Sequence, residues 1–156
     1  MSVKLEHRLG VKAPAHVVWE ILADLPSWPA WNPLYPEAKG VIGFGERLTL
    51  KVAIGGLAPR TIQPTILDWA PDEAIHWKLS AMGGLVTSIR YLEIEKMHDE
   101  GCIFSNGELF DGFLGPSVAK RLKWKLRGAF AALGEALRDR AEARWRERAG
   151  APTLGA

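Results

Sequence analysis

The chain holds a single cysteine in 156 residues, Cys102, which excludes an internal disulfide framework. No stretch approaches the roughly 18 uninterrupted apolar residues that a membrane span requires. Met1 to Lys12 alternates polar and apolar without an apolar h-region, so no secretory signal is visible and a reducing cytoplasm is the expected compartment. A net charge of +2 does not by itself argue for nucleic acid. Also lacking are a Gly-x-Ser-x-Gly elbow, a Walker loop and a His-Glu-x-x-His motif. Gly40-Val41-Ile42-Gly43-Phe44-Gly45 leads into a strand rather than a helix N-terminus, so it reads as a turn and not a phosphate cradle. His7, His16, His76 and His98 are scattered without paired spacing, and neither a metal nor a cofactor is expected. Tyrosine is scarce at 2 residues, but there are 7 tryptophans, which favour core walls, pockets and interfaces.

What is present has a clear order. Val3, Leu5, His7, Leu9 and Val11 alternate with polar residues, which predicts a half-buried strand. Val17, Val18, Ile21 and Leu22 recur at helical spacing and predict a helix over Pro14 to Ala23. The proline-rich stretch Pro26 to Pro33 allows no more than a helical turn. From Glu37 to Asp111 short alternating runs are separated by glycine and charged turns: Leu48 to Ile54, Arg60 to Trp69, Ile75 to Ser80, Leu85 to Lys96 and Cys102 to Phe110. These read as an antiparallel meander with no intervening helix. Val118, Leu122, Leu126, Phe130, Leu133 and Leu137 then form one stripe of a long helix from Pro116 to about Arg148, with Gly128 and Gly134 as weak points. The expectation is an α+β fold, with a curved antiparallel sheet of six to seven strands wrapped around a long C-terminal helix. It would form a single domain over residues 1–149 with a flexible tail at 150–156.

These elements carry a resemblance. Ala13-Pro14-Ala15-His16-Val17-Val18-Trp19 opens the first helix, Leu22-Ala23-Asp24 closes it and Trp31-Asn32-Pro33 follows. Ile75-His76-Trp77-Lys78-Leu79 with the Gly83-Gly84 turn, and Glu108-Leu109-Phe110-Asp111-Gly112-Phe113-Leu114 before the last helix, complete it. Over nearly the whole chain the sequence resembles the START-related helix-grip (SRPBCC) superfamily, more narrowly its polyketide cyclase/dehydrase-like branch. The resemblance implies the helix-grip fold. It also implies a function among lipid carriers, ligand-binding proteins, aromatase/cyclases and chaperone activators.

A strongly curved sheet does not meet its helix everywhere, and the gap becomes an apolar cavity. The residues expected to line it are Trp31, Leu50, Val52, Trp77, Leu79, Phe104, Asn106, Glu108, Phe110, Leu126, Phe130 and Leu133. Glu108 is the candidate catalytic group. It shares a strand face with Phe104, Asn106 and Phe110, and if that face is concave its carboxyl would have a raised pKa and could hydrogen-bond a ligand or act as an acid or base. Two other readings stay open: the parity is reversed and Glu108 meets solvent, or Glu108 pairs with an arginine such as Arg90. Trp28, Trp31 and Tyr35 either form the cavity mouth or pack the turn beneath the sheet. His7 reads as a core or pocket-wall histidine, and Cys102 as inert.

The last helix carries ten of the 20 basic residues, Lys120 to Arg148, against four acidic ones. Such asymmetry suits an anionic membrane surface, an acidic partner or, more simply, a solvated helix face. No aromatic platform interleaves with it, so nucleic acid is not an expected partner. The expected function is binding or carrying a hydrophobic small molecule (a lipid, polyketide, isoprenoid or aromatic metabolite). The alternative is a cyclase or dehydratase acting on a polyketide-like or aromatic substrate in the same cavity. The sequence leaves the oligomeric state open.

Overall fold

The computed structural model describes residues 2–150; Met1 and the expected tail from 151 onward lie outside the described residues. Strand β1 (Val3–Val11) leads into helix α1 (Ala15–Ala23), which Pro14 introduces in an extended conformation. A 3-10 turn (Leu25–Ser27) and a one-turn helix α2 (Trp28–Trp31) occupy the proline-rich stretch. Next come β2 (Glu37–Lys39), β3 (Thr49–Val52), β4 (Arg60–Ile62), β5 (Thr65–Ala70), β6 (Ala74–Ala81), β7 (Val86–His98) and β8 (Gly101–Asp111). Helix α3 (Gly115–Gly150) closes the order.

The strands form two antiparallel sheets rather than one, with orders β1-β8-β7-β6-β5 and β2-β3-β4. Eight strands therefore stand among the described residues, where six to seven were expected. The expected run Arg60 to Trp69 is two strands, because Pro64 has no N–H to donate at that point. The chain turns a corner there, and the sheets stay joined through backbone bonds from Leu48 to the Pro64 carbonyl and from Ile66 to the Glu46 carbonyl. Glu37–Lys39 was too short to show a period in sequence.

Helix α3 has 36 residues, a length of roughly 54 Å at 1.5 Å per residue. It runs unbroken through both glycines. A Cβ at Gly134 would lie 2.6 Å from the Leu9 side chain and 3.3 Å from His7 Nδ1. The missing side chain therefore lets the helix sit directly on β1, so this glycine is a contact and not a weak point. Ala119, Leu126, Phe130, Leu133, Leu137 and Ala141 form its buried stripe. Beyond the sheet, α3 meets α1 through an edge-on His16–Trp145 contact and the Arg148–Glu20 ion pair at 2.8 Å.

Candidate functional site

Toward the N-terminal end of α3, helix and sheets part and enclose a cavity of about 510 Å³. Its walls follow from strand alternation. Leu79 on β6, Val86 and Ser88 on β7, and Glu108 and Phe110 on β8 all point to the concave side. Val52 on β3 and Ile54 beyond it close one flank, and Val118, Leu122 and Leu126 of α3, four residues apart, form the roof. Leu57, Met82, Arg60 and Arg121 stand nearer the surface. A small inner recess of about 40 Å³ continues past Glu108 toward Tyr35, Trp77, Arg90 and Phe130.

The recess ends on a buried cation. Arg90 is 2% exposed and aligns with Glu108 in the β7–β8 register. Its Nε donates to Tyr35 Oη at 2.9 Å, and Nη2 donates to Asn106 Oδ1 at 2.8 Å. Nη1 donates to the carbonyls of Tyr91 and Gly107, each at 3.0 Å. The guanidinium also lies 4.2 Å from the centre of the Phe130 ring. Four N–H groups are thus used, and the charge is spread against π-faces, which is how a guanidinium tolerates burial. Two further contacts fix the network. Asn106 Nδ2 donates to the Phe130 carbonyl at 3.1 Å, tying β8 to α3. Asn32 Oδ1 accepts from the backbone of Leu34 and Tyr35 at 3.0 and 2.9 Å, which shapes the turn that delivers Tyr35 onto Arg90. Burial pushes the Tyr35 hydroxyl above its usual range, so it stays protonated beside the cation.

Glu108 lies on the cavity wall between this network and the mouth. Burial is the largest influence on its carboxyl and raises its pKa above 4.5. Arg90, the Ser88 hydroxyl and Arg60 act the other way without reversing the result. Among the described residues no ion pair closes on Glu108, and Arg90 makes its hydrogen bonds elsewhere. The open question of parity resolves accordingly: Phe104, Asn106, Glu108 and Phe110 share the concave face. A carboxyl whose proton is held more tightly than usual can, while protonated, donate a hydrogen bond to a carbonyl or hydroxyl, and among the described residues it is the one acidic group on the lining.

The other expected lining residues divide. Val52, Leu79, Phe110 and Leu126 line the main cavity, and Trp77 and Phe130 line the recess. Leu50, Phe104 and Leu133 are fully buried in the packed core instead; Phe104 on β8 and Leu133 on α3 lie where the large sheet and the helix close together. Asn106 is buried beneath the lining as a structural partner of Arg90. Trp31 packs edge-on against Trp28 and does not reach the cavity, because α2 is too short to carry it there. The sequence did not single out Ser88, and offered Arg90 only as an alternative partner of Glu108. Yet Val86, Ser88, Arg90, Leu92 and Ile94 share one parity, and that alternation was the available signal.

A family model described as polyketide cyclase / dehydrase and lipid transport matches residues 2–142. Among solved structures, the chain is similar to an aromatase/cyclase from Streptomyces sp. R1128, with TM-score 0.75 and 21% identity over 99% of this chain and 100% of that one. Norcoclaurine synthase of Thalictrum flavum gives TM-score 0.67 and 13% identity over 92% and 96% of the two chains. A START superfamily protein of Mycobacterium smegmatis gives 0.68 and 19% over 90% and 98%. These likenesses show a shared fold. Comparison with curated protein sequences gives no match.

Proposed function

Because the chain belongs to the polyketide cyclase/dehydrase and lipid-transport family, we propose that it binds and carries a hydrophobic small molecule in the cavity beneath α3. The observation that carries this reading is the lining: apolar side chains from both sheets and the helix, interrupted in the interior by Glu108 and Ser88. A volume of about 510 Å³ suits a ligand of drug-like or single-chain lipid size. One polar group on that ligand would meet Glu108 and Ser88 while the rest stays among Val52, Leu79, Leu122 and Leu126.

A second reading has one observation in its favour. Glu108, with its raised pKa, is an acid poised on a cavity wall, which also suits a cyclase or dehydratase that protonates a carbonyl. The carrier reading is preferred because, among the described residues, no base on the lining is paired with Glu108.

The test starts from extraction of the purified protein and mass spectrometry of the lipophiles that come with it. Titration of an apolar fluorescent probe follows, read through Trp77. Saturable binding that changes Trp77 emission, with most of the change lost in Trp77→Phe, supports the carrier reading. Absence of both a co-purified lipophile and saturable probe binding would refute it. With a ligand in hand, Glu108→Gln should weaken binding by about 1 kcal/mol for a carrier. For an enzyme it should leave binding intact and lower turnover about 100-fold.

A further inference from the structure

The two ends of the large sheet differ in chemistry. The β5–β6 and β7–β8 turns at one end carry Asp72, Glu73, Asp99 and Glu100. The opposite end holds the cavity mouth, and its loops expose apolar side chains. Met82 is 61% exposed, Phe113 is 87% exposed, and Trp124 on the first turns of α3 is 75% exposed. Leu57 and Leu85 are exposed beside them. The Leu114 N–H donates to the Leu85 carbonyl at 2.9 Å, which holds the Phe113 segment against the β6–β7 turn. That turn has positive φ at Met82 (55°), Gly83 and Gly84. A methionine held in the left-handed region with its side chain in solvent is costly on both counts and needs a reason.

Apart from Asp111 at the end of β8, the charge that follows along α3 has one sign. Lys120, Arg121, Lys123, Lys125 and Arg127 fall on α3 with no acidic residue from Gly112 to Gly134, and Arg60 adds a sixth cation across the mouth. Lys123 Nζ and Arg127 Cζ lie 5.3 and 5.8 Å from the Trp124 ring centre. Single apolar and aromatic side chains projecting through a basic field are the makeup of an interfacial membrane anchor. We propose that the cavity mouth docks on an anionic lipid bilayer, with Met82, Leu85, Phe113 and Trp124 entering the headgroup layer and the basic residues of α3 facing the lipid phosphates. An acidic protein would also match the charge. It would not account for the apolar side chains exposed at the same end of the sheet as the apolar cavity, Met82 on the lining itself and Leu85 and Phe113 on the adjoining loops, whereas a bilayer lets a hydrophobic ligand pass into the cavity without crossing water.

The test uses the full chain without ligand, so its failure leaves the carrier reading untouched. Cosedimentation compares vesicles of phosphatidylcholine alone with vesicles holding an equal share of phosphatidylglycerol, at low salt. Binding is expected on the mixed vesicles only, weakening as salt rises. The pair Lys120→Gln with Lys123→Gln, which lies off the cavity lining, should lower affinity about 30-fold at about fivefold per basic residue. Phe113→Ser should lower it about tenfold or more. Brominated phosphatidylcholine in the mixed vesicles should quench emission that is absent in Trp124→Phe. Equal binding to both vesicle types overturns the proposal, as does no binding to the mixed vesicles (the outcome expected if the partner is an acidic protein). Trp124 emission that stays unquenched overturns it as well.

Discussion

Glu108→Gln tests the electrostatics of the site through stability alone, before any ligand is known. In the unfolded chain the Glu108 carboxyl ionises near 4.5; in the folded protein, burial holds its proton to higher pH. Between these two values the folded state binds more protons than the unfolded state, so stability falls as pH rises. The stability tied to the proton is fully present below pH 4.5 and is lost as pH climbs through the folded value. One such group changes stability by at most about 1.4 kcal/mol per pH unit, and the loss stops once the folded carboxyl has ionised. Glutamine keeps the shape and never ionises. The variant should therefore match the parent in acid and become the more stable of the two as pH rises to neutral.

The opposing effect is Arg90. Removing the carboxylate takes away an attraction for a buried guanidinium, and if that attraction dominated, the variant would be the weaker protein at neutral pH. The raised carboxyl pKa already includes Arg90, so the balance favours the neutral side chain. The assay is urea unfolding of both proteins across a pH series, comparing midpoints at unchanged slope. Each kcal/mol of difference also appears as about 3 °C in melting temperature. A variant less stable at neutral pH, or a gap that does not change with pH, would refute the argument.

Three further substitutions or treatments probe the frame around the cavity. Arg90→Met should cost about 3 kcal/mol or more in urea unfolding, because Tyr35 Oη and Asn106 Oδ1 lose their donor in a buried site; Arg90→Lys should not restore it, since one ammonium cannot span that fork of acceptors. Gly107→Ala should cost about 2 kcal/mol or more, because the new Cβ would overlap the Leu5 carbonyl oxygen and the Tyr91 hydroxyl. Burial pushes the Cys102 thiol up to about 11 from 9.0, so near pH 8 a disulfide reagent should label the native protein about 100-fold more slowly than the denatured one.

Much of the frame was legible because it rests on periodicity. β1 alternates, α3 carries a stripe at three and four residues, and β6 puts Ile75 and Trp77 on one side, so each element declared its inward face. What stayed hidden depends on pieces far apart in sequence. The division into two sheets turns on Pro64 and on backbone bonds across the corner, neither of which has a period. The Arg90 network joins β7, β8, α3 and the turn that carries Tyr35, and the sequence offered Arg90 only as a partner for Glu108, not for Tyr35 and Asn106. The Asn32 turn is the clearest case. Trp31-Asn32-Pro33 was readable as architecture, but its consequence, Tyr35 placed on Arg90, spans 55 residues.

The network also explains why the hollow lies where it does. At the level of Phe104, Leu133 and Leu137 the helix and sheet interlock and every inward side chain is buried. Arg90, Tyr35 and Asn106 lie next to that packed region, and their hydrogen bonds run to one another, to Phe130 and to backbone carbonyls rather than into the cavity. They form a rigid floor that α3 cannot collapse through. Above the floor a sealed empty space of about 510 Å³ would cost roughly 12 kcal/mol at 24 cal/mol per Å³, comparable to the whole stability of a typical domain. The protein escapes that penalty by leaving the mouth open, so water reaches walls made of Val52, Leu79, Leu122 and Leu126. Apolar walls in contact with water favour any ligand that covers them, at about 25 cal/mol for each Å² removed from solvent. A floor that prevents collapse and an opening that prevents sealing together keep the apolar surface available, and that is the physical condition for reversible binding of a hydrophobic molecule.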